Sequence, residues 1–252
     1  LSRVYSENGQ LIGEYALEKR MFIPFDSIPE KVINSFLSAE DKNFFEHPGV
    51  DARGVTRAVI KNIRNILSDK RLEGASTITQ QVAKNFLLTN EVSLKRKIKE
   101  AILAFRIEKA YSKKRILELY LNEIYLGKGT YGVASASLEY FNKSVKELNY
   151  EEAALLAALP KAPSKYNPYK SIDLATKRRN MVLKNLKENG YISNKEFKTF
   201  LKKKIVLNKR EIYLIKEAQS YTEEVRRIVK TDYGFEKLYS EGLSISTPLD
   251  NK

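Results

Sequence analysis

A carboxylate on the apolar side of a predicted helix is the first group in this sequence that could do chemistry. Apolar residues recur with helical spacing at Ile33, Phe36 and Phe44, and Glu40 falls on the same stripe with Asp41 beside it. Burial and a neighbouring like charge both disfavour ionisation, so we expect the pKa of Glu40 to be raised. Such a carboxylate suits general acid–base catalysis near neutral pH. A hydrogen-bonded carboxylate at a helix end is the simpler alternative, and this segment alone favours it.

Hydroxyl, amide and amino groups cluster in a second segment, residues 74–85, which starts with a glycine and enters a predicted helix. Backbone N–H groups and hydroxyls at a helix start can bind an anion. Residues four apart lie on the same row of a helix, so Gln80 and Lys84 share one row and Gln81 and Asn85 share the adjacent one. The candidate ligands are Ser76, Thr77, Gln80, Gln81, Lys84 and Asn85. A well-capped helix with a polar face is the structural alternative.

Two further segments carry polar residues at helical spacing. Arg96, Lys97 and Glu100 can share one face of a helix, although a surface ion-pair network is the default interpretation of such a cluster. Residues 116–127 read as a core helix ending in a Gly-rich turn. Asn122 is the residue of that helix that core packing explains least.

The composition narrows the classes of protein. Of 252 residues, 42% are hydrophobic, enough for a packed core, and 45 Lys and Arg outnumber 31 Asp and Glu to give a net charge of +14. This balance favours an anionic partner, which can be a nucleic acid, a phosphorylated substrate or an acidic membrane surface. The chain has no Cys and one histidine, His47, which disfavours a Cys- or His-ligated metal and a Ser-His-Asp triad.

The elements that must position these groups are mostly helical. Residues 4–15 alternate around Asn8-Gly9, which predicts a tight β-hairpin. Residues 27–30 (SIPE) predict a capping box at the start of the helix that carries Glu40. Further helices are predicted at 51–67, 77–88, 93–111, 113–126, 132–141, 150–159, 172–189 and 195–203.

Two regions are less determined. One side of the predicted helix 51–67 is basic, and it is either a solvated face or an anion-facing one. Its residues are Arg53, Arg57, Lys61 and Arg64. From about residue 204, strand-like pieces return at 205–207, 212–215 and 243–247, which suggests an appendage or a linker.

Five segments, taken in order, resemble the motifs of the family 51 glycosyltransferases: AEDKNFFEHPGVD, GASTITQQVAKN, RKIKE, ELYLNEIYLGKGTYGV and EEAALLAALPKAPSKYNP. The resemblance runs from residue 4 to 168 and more loosely to the end. The tail GLSISTPLD resembles the segment that leads into the transpeptidase domain of class A bifunctional penicillin-binding proteins, whose own signatures are absent here. The chain departs from the family pattern at Ala75, where many members have glycine, and at Pro248, where threonine is common.

The resemblance implies a mainly α, lysozyme-like fold of two lobes, the smaller facing the membrane, with a small N-terminal hairpin. We expect a hairpin and linker at 1–25, a glycosyltransferase domain at 26–203, and a linker toward a transpeptidase domain at 204–252. The implied location is the extracytoplasmic face of the bacterial cytoplasmic membrane, with an N-terminal transmembrane anchor. The implied reaction joins lipid II to a growing polyprenyl-linked glycan, with inversion at C1 of MurNAc and release of polyprenyl pyrophosphate.

Roles carried over from the matching motifs make Glu40 the base and Glu100 an assistant on the donor side. Lys84 and Lys97 would neutralise pyrophosphate charge. Sugar or phosphate oxygens would be held by Ser76, Thr77, Gln80, Gln81 and Asn85, with Asp41, Arg96 and Asn122 completing the substrate-binding set. His47 would be supporting. No obligatory cofactor is expected, and a divalent cation, Mg²⁺ or Mn²⁺, near the pyrophosphate is an option.

Two other classes of function stay open. A muramidase or lytic transglycosylase shares the lysozyme-like fold and a glutamic acid, but it has no need of the basic GASTITQQVAKN segment. A non-enzymatic basic module would bind acidic lipid or nucleic acid through its net charge, although no nucleic-acid motif supports it. The sequence leaves the oligomeric state open.

Overall fold

The computed structural model describes residues 2–15, 19–52, 54, 56, 76–87, 93–208 and 219–250. The described helices are α1 (Glu30–Glu40), α2 (Ile78–Leu87), α3 (Leu94–Ala110), α4 (Lys113–Glu123), α5 (Val133–Phe141), α6 (Tyr150–Ala158), α7 (Ile172–Glu188), α8 (Asn194–Lys202) and α9 (Gln219–Tyr233). The strands are β1 (Ser2–Tyr5), β2 (Leu11–Tyr15), β3 (Lys19–Arg20), β4 (Tyr125–Gly127), β5 (Thr130–Tyr131) and β6 (Ser244–Ser246). The mainly helical class predicted from the sequence is confirmed.

The centre of the molecule is α6, whose short apolar residues are buried on all sides. Its sequence from Ala153 to Leu159 is the longest apolar run of the chain, and every residue of it is buried. Asn149 and Glu152 form a reciprocal capping box that fixes the start of this helix. Helices α1 and α7 both pack on α6 and also contact each other. This three-helix core positions the carboxyl end of α1, where Glu40 lies.

Two predicted helix ends are wrong by a turn or less. The capping box predicted at residues 27–30 does not form: Ser27 ends a 3₁₀ turn, Phe25–Ser27, and α1 begins after Pro29 without a side-chain cap. Helix α4 ends at Glu123 rather than residue 126, because Tyr125–Gly127 leaves the helix to pair with β5. Gly132 closes this hairpin against α4, where a Cβ atom would lie 2.4 Å from the Asn122 carbonyl oxygen.

The two ends of the chain form a second, smaller unit. The hairpin predicted around Asn8-Gly9 is confirmed as the antiparallel pair β1–β2, and β6 adds to β1 in parallel. Helix α9 covers this sheet, and their shared core consists of Val4, Ile12, Val225, Val229 and Leu238. The described part of residues 204–250 therefore includes a helix and a strand that pack on the hairpin.

Some predicted features fall outside the described residues. Ala52, Gly54 and Thr56 have helical backbone, in line with the predicted helix 51–67. The basic residues of that helix, Arg53, Arg57, Lys61 and Arg64, lie outside the described residues, as do Ala75 and the strand-like piece 212–215. Residues 205–207 form no strand. In the ranges given above, no helix has both the length and the apolar character needed to cross a bilayer.

Candidate active site

Glu40 lies at the last residue of α1 and meets the next described helix. Its Oε2 accepts a hydrogen bond of 3.0 Å from Nε2 of Gln81 on α2. Burial raises the pKa of Glu40 above its ordinary value, and the charge of Asp41 acts in the same direction. The Gln81 hydrogen bond and the positive charges of Arg178 and Lys161 lower the pKa but do not cancel the effect of burial. The direction of the shift is the one expected from the sequence.

The carboxylate oxygens of Asp41, by contrast, are bonded to groups of the protein itself. Its side chain is nearly buried, its Oδ2 accepts from the backbone N–H of Ile78 at 3.0 Å, and both oxygens lie 3.0 Å from Nε2 of His47. Because Nδ1 of His47 accepts the Gly49 N–H, Nε2 carries the proton that points to Asp41. Asp41 and His47 therefore brace the loop after α1 against the start of α2.

The start of α2 is capped by its own residues. The Thr77 N–H donates to Oε1 of Gln80 at 2.9 Å, and the Gln80 N–H donates to Oγ1 of Thr77 at 3.1 Å. Thr77 also donates its hydroxyl to the Gly49 carbonyl oxygen at 2.6 Å. Both side chains are buried. Of the polar residues predicted in this segment, these two satisfy each other, as the structural alternative proposed.

Two other polar residues of this segment are exposed, and a third contacts the next helix. Lys84 and Asn85 are exposed near the carboxyl end of α2. Ser76 lies just before α2 and accepts a hydrogen bond of 2.9 Å from Nζ of Lys97. Helix α2 thus connects the Glu40 environment to a second charged cluster on α3.

Glu100 is the centre of that second cluster. Only 1% of its side chain is exposed, and it lies between two cations: Nε of Arg96 is 3.1 Å from Oε1, and Nζ of Lys97 is 2.6 Å from Oε2. Lys97 itself is half exposed and bridges Glu100 to Ser76. The spacing predicted from the sequence is confirmed, and the cluster is a buried anion that orients two cations rather than a plain surface network.

Asn122 is placed differently from the other predicted residues. Its Oδ1 accepts the Ile23 N–H at 2.7 Å, and its Nδ2 donates to the carbonyl oxygens of Ile23 and Glu118 at 2.9 and 2.8 Å. The side chain is buried, and its amide is used by backbone groups on both sides. Asn122 ties the segment that enters α1 to α4.

Several charged residues that contact or face the site were missed by sequence reasoning. Arg178 of α7 and Lys161, just after α6, act electrostatically on Glu40. Lys113 donates to the His47 carbonyl oxygen at 2.6 Å and to Glu108 at 2.7 Å, and Glu108 accepts the Thr79 hydroxyl at 2.5 Å. Among 45 basic residues, no local pattern distinguishes these three.

The described residues offer no preformed metal site. In the ranges that the structure describes, no group of three His, Asp or Glu side chains lies close enough together to hold a metal ion. Among the described residues of this cluster the carboxylate is Glu100, and it already has two cationic partners. The side chains near the cluster therefore do not fit a resident divalent cation by themselves.

Comparison with known proteins agrees with this geometry. The family model described as Transglycosylase matches residues 8–187. The chain belongs to this transglycosylase family. It is 50% identical over its full length to Penicillin-binding protein 1A of Rickettsia prowazekii and 47% identical over 99% of its length to that of Aquifex aeolicus. The chain spans about a third of these relatives, 32% and 34% respectively.

A solved structure supports the same assignment. The crystal structure of Penicillin-binding protein 1A from Haemophilus influenzae superimposes with a TM-score of 0.56 at 28% identity, covering 94% of this chain and 25% of that one. The predicted membership in the glycosyltransferase family of class A penicillin-binding proteins is confirmed, and so is the class of enzyme, a peptidoglycan glycosyltransferase.

Proposed function

We propose that this domain polymerises lipid II into β-1,4-linked glycan strands, with Glu40 as the base. The observation that supports this most directly is the environment of Glu40: a carboxylate with a raised pKa, hydrogen-bonded to Gln81 and faced by Arg178 and Lys161. A base works best with a pKa near the working pH, and burial shifts the pKa of Glu40 upward, in that direction. Family membership supports the class of reaction.

The reaction is a single displacement at an anomeric carbon. The acceptor's GlcNAc 4-hydroxyl attacks C1 of the donor MurNAc, Glu40 takes the hydroxyl proton, and the bond from C1 to the pyrophosphate oxygen breaks. The α-linked pyrophosphate leaves with the bonding electrons, and the new bond has the β configuration. One base is sufficient, because the configuration is inverted in one step.

The basic groups near α2 would stabilise the leaving pyrophosphate. Lys97 is held by Glu100 and Ser76, so its ammonium group is oriented before substrate arrives. Arg96 forms an ion pair with Glu100, and Lys84 is exposed. Fixed cations placed where negative charge develops stabilise a transition state without reorganisation.

The remaining predicted residues act through position. Asp41, His47, Thr77 and Gln80 hold the loop after α1 against α2, and so fix the distance between Glu40 and Gln81. Gln81 would orient Glu40, and Asn85 would contact a sugar or phosphate oxygen from the exposed end of α2.

A face of α3 supports contact with a membrane. Ile98, Ile102 and Phe105 follow helical spacing and are exposed, with Lys99 and Arg106 beside them. An apolar stripe flanked by basic residues suits the interface of an anionic bilayer. This stripe supports contact with a membrane surface, and the extracytoplasmic side is proposed from the family resemblance alone. Replacing Ile98 and Phe105 with serine should weaken binding to anionic vesicles, and unchanged binding would contradict the placement.

The proposed function is tested with labelled lipid II, comparing wild type and Glu40→Gln, with products resolved by length. We expect long strands from the wild type and none from the variant. Circular dichroism should show that both proteins are folded. If the wild type is inert on lipid II, the substrate is wrong. If the variant polymerises normally, Glu40 is not the base.

A further inference from the structure

Tyr120 of α4 is buried and packs on α1 one helical turn before Glu40. Only 1% of the residue is exposed, and its ring packs edge-to-face on Phe36, with centroids 6.2 Å apart at 78°. Phe36 precedes Glu40 by one helical turn, so both lie on the same face of α1. Burial raises the pKa of Tyr120 well above its ordinary value, with further contributions from the charges of Glu40 and Asp41. The ring contact with Phe36 thus places Tyr120 beside the helical turn of α1 that leads to Glu40.

The Tyr120 hydroxyl is a buried donor without an acceptor. It is shielded from solvent and forms no hydrogen bond within the described part of the chain. Buried tyrosine hydroxyls normally find a partner, because an unsatisfied one costs free energy. Tyr140 shows the usual arrangement, with its hydroxyl donating to the Leu126 carbonyl oxygen at 2.9 Å. A phenylalanine at position 120 would avoid the cost, so packing alone does not account for the hydroxyl.

Of the two carboxylates near this hydroxyl, Glu40 has more acceptor capacity left. Asp41 already accepts from the Ile78 N–H and is approached at both oxygens by His47. Glu40 accepts from Gln81 at Oε2, which leaves Oε1 for another donor. Oε1 of Glu40 is therefore the acceptor that a water bound to the Tyr120 hydroxyl would use.

We propose that Tyr120 is a positioning residue for Glu40: its buried hydroxyl donates to one bridging water that in turn donates to the Glu40 carboxylate, which keeps that carboxylate ionised and oriented toward the acceptor hydroxyl. This rests on the proposed role of Glu40 as base. Within the described part of the chain, the other groups that face Glu40 are Gln81 from α2, Asp41 just after α1, Lys161 after α6 and Arg178 from α7. Tyr120 would act from the α4 side.

The proposal predicts a pH effect of definite sign. A hydrogen bond to the ionised carboxylate favours ionisation, so its removal raises the pKa of Glu40. In Tyr120→Phe, the acid limb of kcat/KM should move upward by about one pH unit, which is roughly a tenfold loss of rate below the limb. At pH values well above the limb, the rate should return close to that of the wild type. A purely structural role would leave the position of the limb unchanged.

Tyr140→Phe is the matched control. It removes the same hydroxyl from an equally buried tyrosine, but one whose partner is the Leu126 carbonyl oxygen. It should leave the acid limb in place. A limb that is unmoved in Tyr120→Phe, or that moves equally in both variants, overturns the proposal.

A stability measurement separates this proposal from the function on which it rests. The loss of unfolding free energy caused by Tyr120→Phe should grow as the pH rises through the Glu40 pKa, because the lost bond is to the ionised form. In a Glu40→Gln background the effect of Tyr120→Phe should not depend on pH. The same dependence in both backgrounds overturns the proposal, even if the wild type polymerises lipid II. If the wild type is inert on lipid II, the proposed function fails and the urea unfolding series still decides whether the two side chains interact.

Discussion

Glu40 and Glu100 occupy contrasting environments. Glu40 contacts α2 through Gln81, and Glu100 is linked through Lys97 to Ser76, just before α2. Glu40 is bonded to a neutral amide, and burial raises its pKa. Glu100 is more deeply enclosed, and it is compensated by Arg96 and Lys97 at 3.1 and 2.6 Å. A carboxylate that must gain a proton needs an environment like the first, and one that must hold cations in place needs the second. The contrast separates the two proposed catalytic carboxylates by role.

The largest expected effects come from neutralising each carboxylate. Glu40→Gln and Glu100→Gln should both lower the rate of lipid II polymerisation, by about 10²- to 10⁴-fold for the base. Their stabilities should differ. Glu100→Gln leaves Arg96 and Lys97 without their shared anion and should cost about 2 kcal/mol of unfolding free energy, whereas Glu40→Gln should not lower stability at neutral pH. Urea unfolding beside initial rates measures both. Equal stability of the two variants would contradict the proposal that Glu100, unlike Glu40, holds two cations in place.

Neutralising the cations should have the next largest effect. Lys84→Met and Lys97→Met should each lower polymerisation by roughly 10- to 100-fold, because pyrophosphate charge develops without a nearby ammonium group. Lys84 is exposed and pairs with no described group, so its loss should not alter stability. Lys97→Met also releases Glu100 and Ser76, so it should lower stability slightly.

The same lysines discriminate against a muramidase. Lys198→Met, which removes an exposed lysine of α8, is the control and should retain the wild-type rate. A hydrolase would cleave glycan equally well with or without Lys84 and Lys97. Cleavage of purified glycan strands by the wild type, unaffected by either substitution, would favour that alternative over the transferase.

The raised pKa of Glu40 predicts how rate and stability depend on pH. Polymerisation should fall about tenfold per unit below an acid limb that lies above 4.5, the ordinary value for glutamate. Because the folded pKa is raised, ionisation of Glu40 opposes folding. The wild type should therefore become less stable than Glu40→Gln as the pH rises from 4.5 through the raised pKa, and the two should converge at lower pH. A limb at or below 4.5 would show that the cations around Glu40 prevail over burial.

The sequence predicted the parts of this site that are local. Glu40 stood out because it interrupts an apolar helical stripe, and the Arg96, Lys97 and Glu100 contacts follow from spacing along a single helix. Most helix bounds were also predictable, since apolar periodicity reports which face is buried.

The parts that depend on contacts distant in sequence could not be predicted. Arg178 and Lys161 approach Glu40 from other elements, and their charges resemble those of many solvated lysines and arginines. Helix α9 was missed because its buried positions, Val225 and Val229, are few and surrounded by charge, and their partners are in the hairpin at the other end of the chain. A polar residue on a helix has the same local pattern whether it faces a ligand or a distant backbone.

Asn122 is the residue for which the choice between a ligand and a distant backbone group matters most. Its substitution should have the smallest effect on the rate of polymerisation. Its amide is bonded to the backbone of Ile23, 99 residues away. Asn122→Ala should cost about 2 kcal/mol of unfolding free energy, because buried backbone groups lose their partner, while the rate per folded molecule changes less than about threefold. Asn85→Ala, at an exposed position, should do the reverse: a lower rate with unchanged stability. If Asn122→Ala unfolds like the wild type but does not polymerise lipid II, Asn122 binds substrate as the sequence motif implied, and the backbone contact is secondary.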